Sequence, residues 1–149
     1  EEEINRALEF SLYVLRSMGL TNFKAYLSTM PEKAVGDPKD WEMATDALQR
    51  AIEAHQIPYE VDEGGGAFYG PKLDFTVTDT LNRKHQLGTI QLDFNLPERF
   101  NLTYQDANGA QTRPVIIHRA ILGSVERFIA LLLENAQGRI PYFVSPIWK

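Results

Sequence analysis

Two stretches of the chain alternate apolar and polar side chains too regularly for anything but strands. Leu73, Phe75 and Val77 are set against Lys72, Asp74, Thr76 and Thr78, and Ile90, Leu92 and Phe94 against Thr89, Gln91 and Asp93. A period of two sends successive side chains to opposite faces, so each run predicts a strand with one buried face. A turn from Asp79 to Lys84 joins them. Further on, Leu102 and Tyr104 alternate with Thr103 and Gln105, Asn108-Gly109 is a hairpin signal, and Val115, Ile116 and Ile117 read as a buried strand. Four consecutive strands predict an antiparallel meander. Its apolar face needs helices to cover it, which sets the fold class as α+β, an antiparallel sheet flanked by helices.

The helices are legible in the same way. Ile4, Leu8, Leu12 and Leu15 recur at helical spacing from Glu1 to Met18, and Gly19 is a plausible end. Phe23 to Ser28 alternates as a strand. Asp40 is placed to cap a second helix beginning at Trp41 whose apolar side holds Trp41, Ala44, Leu48 and Ile52. Core packing is the expected role of these apolar residues. Ile57 to Val61 is a short extended piece. Between Gly64 and Pro71 stand four glycines and a proline, which mark unusual backbone angles or a close approach of main chain to a ligand. No Gly-Lys-Ser/Thr ending opens a helix there, so the stretch is no phosphate-binding P-loop.

Polar positions on the second face of the expected sheet are Asp74, Thr76, Gln86, Gln91 and Asp93. Short hydrogen-bonding groups with few lysines or glutamates suit a recognition floor, and an ordinary solvated face fits the pattern equally well. From His118 onward the period turns helical, which predicts a strand-to-helix junction at His118. Ile121, Leu122, Val125, Phe128, Ile129, Leu132 and Leu133 then share one side of the helix. Arg119, Gly123, Arg127 and Ala130 share the other, a face spacious enough for an anionic ligand.

Composition narrows the classes. The 149 residues, 44% hydrophobic, suit one domain with a substantial core, and a net charge of -5 excludes a generic phosphate-neutralising nucleic-acid binder. The absence of cysteine excludes disulfides and thiolate ligands from this chain and is compatible with a reducing cytoplasm. No apolar run approaches membrane-spanning length. Because the first residue is Glu1, the chain is expected to be an excised piece or a processed product.

Four blocks in order carry a resemblance. Glu63-Gly64-Gly65-Gly66-Ala67-Phe68-Tyr69-Gly70-Pro71-Lys72, Gln86-Leu87-Gly88-Thr89-Ile90-Gln91-Leu92-Asp93-Phe94, Leu96-Pro97-Glu98-Arg99, and His118 through Phe128 together resemble the threonyl-tRNA synthetase family. The last block is similar to motif 3 of the class II aminoacyl-tRNA synthetases. The resemblance implies a partial class II catalytic fold over residues 1–140, following motif 2 and running through motif 3, with 141–149 beginning a linker toward an anticodon-binding domain. It further implies ATP with magnesium, threonine and tRNA as ligands, a homodimeric cytoplasmic parent, and zinc as a substrate-holding metal.

Residue by residue, Arg127 is similar to the arginine that lies against the adenine and phosphates of ATP, as a planar cation suits. His118 is similar to one of three zinc ligands, and a buried metal that demands an oxygen ligand separates threonine from valine. Tyr69 resembles the group that holds the threonine amino nitrogen. Gln86, Gln91, Lys72 and Ser124 are expected in the ATP and threonine pocket, and Gly123 is expected to leave room for the nucleotide. Leu87 and His85 depart from the family pattern, and His85 is read as a surface or packing variant rather than a ligand. Motifs 1 and 2 and two zinc ligands are missing, so the chain is expected to be inactive alone. The alternative is a non-catalytic, synthetase-derived interaction module. An exposed sheet edge is expected to let the fragment self-associate.

Overall fold

The structure, a computed structural model, describes residues 1–145, so the last four residues of the linker expected over 141–149 lie outside the described residues. Helix α1 (Glu2–Ser17) leads into β1 (Phe23–Ser28), and α2 (Pro38–Ala54) into β2 (Tyr59–Asp62). Next come β3 (Lys72–Thr78), β4 (Lys84–Asp93), a short α3 (Asn95–Arg99), the two-residue strands β5 (Tyr104–Gln105) and β6 (Gln111–Thr112), β7 (Ile116–Ala120) and α4 (Val125–Ala136). A single 3-10 turn occupies Tyr142–Val144. Among the described residues no helix is long and apolar enough to cross a membrane.

Helix α1 buries Ile4, Ala7, Leu8, Ser11, Leu12 and Leu15, one stripe at helical spacing, with Glu2 and Glu3 in its first turn and Arg16 in its last, as the helix dipole favours. Helix α2 buries Trp41, Ala44, Leu48, Ala51 and Ile52. Its start corrects the expected cap at Asp40. Pro38 has a fixed φ and no N–H to leave unsatisfied, so it opens the first turn, and the Asp37 carboxylate accepts from the Lys39 amide at 2.9 Å.

The sheet runs β2-β1-β3-β4-β7, antiparallel throughout except for the parallel β1–β2 pair at one edge. The expected four-strand meander is interrupted. β5 and β6 form a separate two-stranded hairpin closed by Asp106, which accepts from the Asn108 and Ala110 amides at 2.9 Å each, and β7 then returns to pair with β4. Alternation is a sound guide to strands there but cannot say which neighbour each chooses. One face of the large sheet, carrying Ala25, Leu27, Leu73, Phe75, Val77, Ile90 and Leu92, packs with α1 and α2 into the core. Phe75, fully buried, sits edge-on to Phe23 with centroids 5.9 Å apart. Helices α1 and α2 thus take much of the covering role that a meander would leave to the helix after Ile117.

That last helix is also shorter than expected. His118 and Arg119 lie within β7, and α4 begins only at Val125, capped by Ser124. Ile116 and Ile117 are half-buried and Val115 exposed, since among the described residues β7 is an edge strand with no neighbour on its outer side. Helix α4 buries Phe128, Leu131 and Leu132, while Val125, Ile129 and Leu133 are exposed. Arg119 therefore does not share a helical face with Arg127; its guanidinium lies over the Phe10 ring of α1, 4.6 Å from the centroid.

Candidate active site

The face of the sheet turned away from α1 and α2 is crossed by two polar rows. In register across β2, β1, β3, β4 and β7 stand Asp62, Ser28, Lys72, Gln91 and His118, and beside them Glu60, Tyr26, Asp74, Thr89 and Ala120. Opposed residues present their side chains to the same face, so strand pairing alone gathers Lys72, Gln91 and His118 from three strands. Tyr69 joins them from the glycine-rich loop, donating its hydroxyl to Gln91 Oε1 at 2.5 Å and meeting the His118 ring edge-on with centroids 5.8 Å apart.

The loop reaches this position because its main chain lies against other main chain. The Gly66 amide donates to the Thr29 carbonyl at 2.8 Å and the Val35 amide to the Phe68 carbonyl at 2.8 Å. Gly70 presses on β4 so closely that a Cβ there would lie 1.7 Å from the Leu92 carbonyl oxygen. The glycines thus serve the docking of Tyr69 onto the sheet.

Gln86 is five residues from Gln91, an odd spacing that would put the two on opposite faces of a regular strand. A bulge resolves it. Phe75 pairs with Gly88 and Thr76 with Gln86, which leaves Leu87 as the extra residue. Leu87 turns into the core, 2% exposed, and Gln86 joins the polar face. The Leu87 carbonyl then meets Gly123, where φ is +63° and an added Cβ would stand 2.8 Å from that oxygen. This accounts for glycine at position 123 by backbone geometry. The bulge and Gly123, just before α4, are therefore in contact, and Ser124 and Arg127 follow at the start of that helix.

Ser124 is taken up by the helix. Its Oγ accepts from the Arg127 amide at 3.3 Å and donates to Glu126 Oε2 at 2.9 Å. That cap fixes the first turn of α4, from which the exposed Arg127 projects.

Lys72 and His118 each have a carboxylate beside them. Lys72 Nζ pairs with Asp74 Oδ2, both largely buried. His118 Nε2 lies 2.9 Å from Oδ2 of the fully buried Asp93, whose Oδ1 accepts from the Asn95 and Leu96 amides at 2.9 and 3.0 Å. Burial first, and then the negative charge of Asp93, push the Tyr69 phenol up, so it keeps its proton and remains a neutral donor to Gln91. Sequence patterning put Asp74 and Asp93 on this face but gave no sign that they hold Lys72 and His118. The only available signal was two carboxylates on a sheet too well covered to need them for solubility. Two buried polar atoms on directly opposed residues, Asp74 Oδ1 and Thr89 Oγ1, have no partner among the described residues, a suitable seat for an ordered water or a ligand group.

His85 lies apart from the floor, beside the β3–β4 turn. There Asp79 receives His85 Nε2 at 2.9 Å, Arg83 Nε at 2.6 Å, and the Leu81 and Arg83 amides. Burial opposes ionisation of Asp79, but these bonds outweigh it and hold the carboxyl well below the usual range.

A zinc site needs three or four ligands. No group of three His, Cys, Asp or Glu side chains gathers to hold a metal among the described residues, so His118 and its neighbours do not by themselves make up a zinc site.

Residues 2–136 match the family model of the tRNA synthetase class II core domain (G, H, P, S and T). A threonine–tRNA ligase of Borreliella afzelii is 51% identical over 146 residues, covering 98% of this chain and 25% of that protein. One of Petrotoga mobilis is 53% identical over 147 residues, with 99% and 23% covered. The crystal structure described as the RNA binding domain of threonyl-tRNA synthetase from Cryptosporidium parvum superposes with a TM-score of 0.87 at 48% identity, over 97% of this chain and 36% of that one. The chain thus spans about a quarter of the length of the curated relatives it matches.

Proposed function

Since the chain belongs to the class II core-domain family of tRNA synthetases, we propose that it is part of the catalytic core of a threonine–tRNA ligase, a cytoplasmic homodimer that activates threonine with ATP and magnesium and passes it to tRNA. The observation that carries this reading is the row Lys72, Gln91 and His118 with Tyr69 set over it, a polar floor with fixed donors on an otherwise close-packed sheet.

In activation the threonine carboxylate oxygen bonds to the α-phosphorus of ATP as the bond to the leaving pyrophosphate breaks. That step needs positioning and charge stabilisation more than a strong base. The Tyr69 hydroxyl gives its hydrogen to Gln91 and keeps lone pairs to accept from the threonine ammonium. Lys72, tethered by Asp74, supplies a positive charge at the reacting anions. Arg127, the proposed motif 3 arginine, lies against the adenine and phosphates with Gly123 leaving space beside it, and Gln86 faces the same ligand. The Ser124 hydroxyl, which also caps the helix and so sets Arg127 at its start, faces the substrate pocket. When bound, zinc supplies a Lewis-acidic anchor for the amino and hydroxyl groups of threonine, and His118 is the residue here that would hold it.

The chain carries one zinc ligand and one catalytic arginine, so alone it charges no tRNA. The test is a hybrid in which it replaces the matching segment of the Petrotoga mobilis enzyme. The hybrid is expected to charge tRNA with threonine and to lose that activity with Arg127→Ala. A folded hybrid that charges nothing would refute the reading, and charging by the isolated chain would refute its inactivity alone.

A further inference from the structure

We propose that Asp93 is a positioning residue for His118, holding the imidazole in the tautomer protonated at Nε2 and leaving Nδ1 as the single lone pair that the ring offers to a ligand. Asp93 is fully buried, and its side-chain bonds run in two directions. Oδ1 takes the Asn95 and Leu96 amides at the start of α3, and Oδ2 faces His118 Nε2 at 2.9 Å. A carboxylate accepts and does not donate, so the nitrogen that meets it must carry the proton. The reverse tautomer would set a lone pair against Oδ2 and forfeit a charge-assisted bond, which favours the Nε2-protonated ring by at least about tenfold.

The register supports the same assignment. β7 opposes His118 to Gln91 and Ile116 to Asp93, so Asp93 is the diagonal neighbour that a ring can reach, while Tyr69 closes edge-on against the ring at 5.8 Å. Held by Asp93 and Tyr69, the imidazole has a fixed orientation before any ligand arrives. Metal-binding histidines as a class are oriented in this way by a carboxylate on the second ring nitrogen. That consequence for a metal rests on the threonine-ligase reading, whereas the tautomer does not.

The test is long-range proton–nitrogen NMR of the 149-residue chain, at a pH alkaline enough to neutralise the ring. His118 is expected to carry its proton on Nε2, with Nδ1 bare. Asp93→Asn separates positioning from capping. Its Oδ1 can still accept from the two α3 amides, but Nδ2 can only donate, so the ring is expected to move its proton to Nδ1. A native ring protonated at Nδ1 or divided evenly between tautomers would overturn the proposal. A folded Asp93→Asn chain still protonated at Nε2 would do the same. If Asp93→Asn does not fold, the native spectrum decides. A hybrid enzyme that fails to charge tRNA would refute the functional reading and leave this spectrum unchanged, so the two failures are distinguishable.

Discussion

Gly70→Ala is the sharpest test of how the floor is assembled. A Cβ at position 70 would stand 1.7 Å from the Leu92 carbonyl oxygen and 2.8 Å from its carbon, and the nearest distance such an atom tolerates is close to 3.0 Å. Loop and strand must therefore part by at least about 1.3 Å, a gap that a packed interior cannot absorb by small relaxation. The movement falls on the loop, because β4 is fixed between β3 and β7. Three bonds are strained or lost: Gly70 amide to Ala67 carbonyl at 3.3 Å, Leu92 amide to Pro71 carbonyl at 3.1 Å, and Tyr69 hydroxyl to Gln91 at 2.5 Å. At about 1 kcal/mol net for each, the expected loss is about 3 kcal/mol, with a range of about 2–4 kcal/mol. Urea denaturation of the two chains measures it. A typical domain survives such a loss, so the variant is expected to fold with Tyr69 displaced. In the hybrid enzyme a displacement of about 1 Å is expected to lower kcat by about a hundredfold. An unfolding free energy within about 0.5 kcal/mol of the native chain would lie outside that range and show that the loop's seat on β4 is not as the contact implies.

Phe75→Ala should cost about 3–5 kcal/mol in the same assay, because loss of a fully buried ring against Phe23 leaves a cavity that the packed sheet and helices cannot close. Asp79→Asn should flatten the acid limb of stability. The folded-state pKa of Asp79 lies below its unfolded value, so its contribution is full above the ordinary carboxylate range near about pH 4 and is lost as pH falls through that range and below. Urea midpoints from about pH 7 downward should show the native and variant chains converging, and a constant gap would contradict the assignment. Sedimentation velocity should show concentration-dependent self-association of the isolated chain, because β7 is an unpaired edge with Val115 exposed beside it. A monomer at every concentration would remove that expectation.

Much of the fold is legible in the sequence because periodicity reports burial. The alternation in β3 locates the strand to the residue, and the stripe of α1 locates its core side chains. Periodicity fails where local chemistry sets the boundary. Pro38 moves the start of α2 forward by one turn, and Ser124 delays α4 by claiming a cap within the run that begins at His118. It fails again where pairing is non-local, since nothing in residues 104–112 says that their hairpin stands outside the main sheet. In the site, the family resemblance names Tyr69, Lys72, Gln91 and His118, and strand register brings all but Tyr69 into one row. The carboxylates behind them have no signature, because a positioning role depends on a distance across strands.

The extra residue in β4 has a consequence for changes in chain length. Deleting Leu87 would leave Gly88 opposite Phe75 and Gln86 opposite Thr76, as they already are, so the polar rows would keep their faces and lose only a buried leucine and the carbonyl on which Gly123 rests. Deleting any one residue from Thr89 through Asp93 would instead reverse the parity of the strand beyond the cut, sending a core side chain onto the floor and a floor side chain into the core. The strand therefore tolerates a length change of one at its bulge, where the core would lose one leucine and the segment leading into α4 the carbonyl that it rests on.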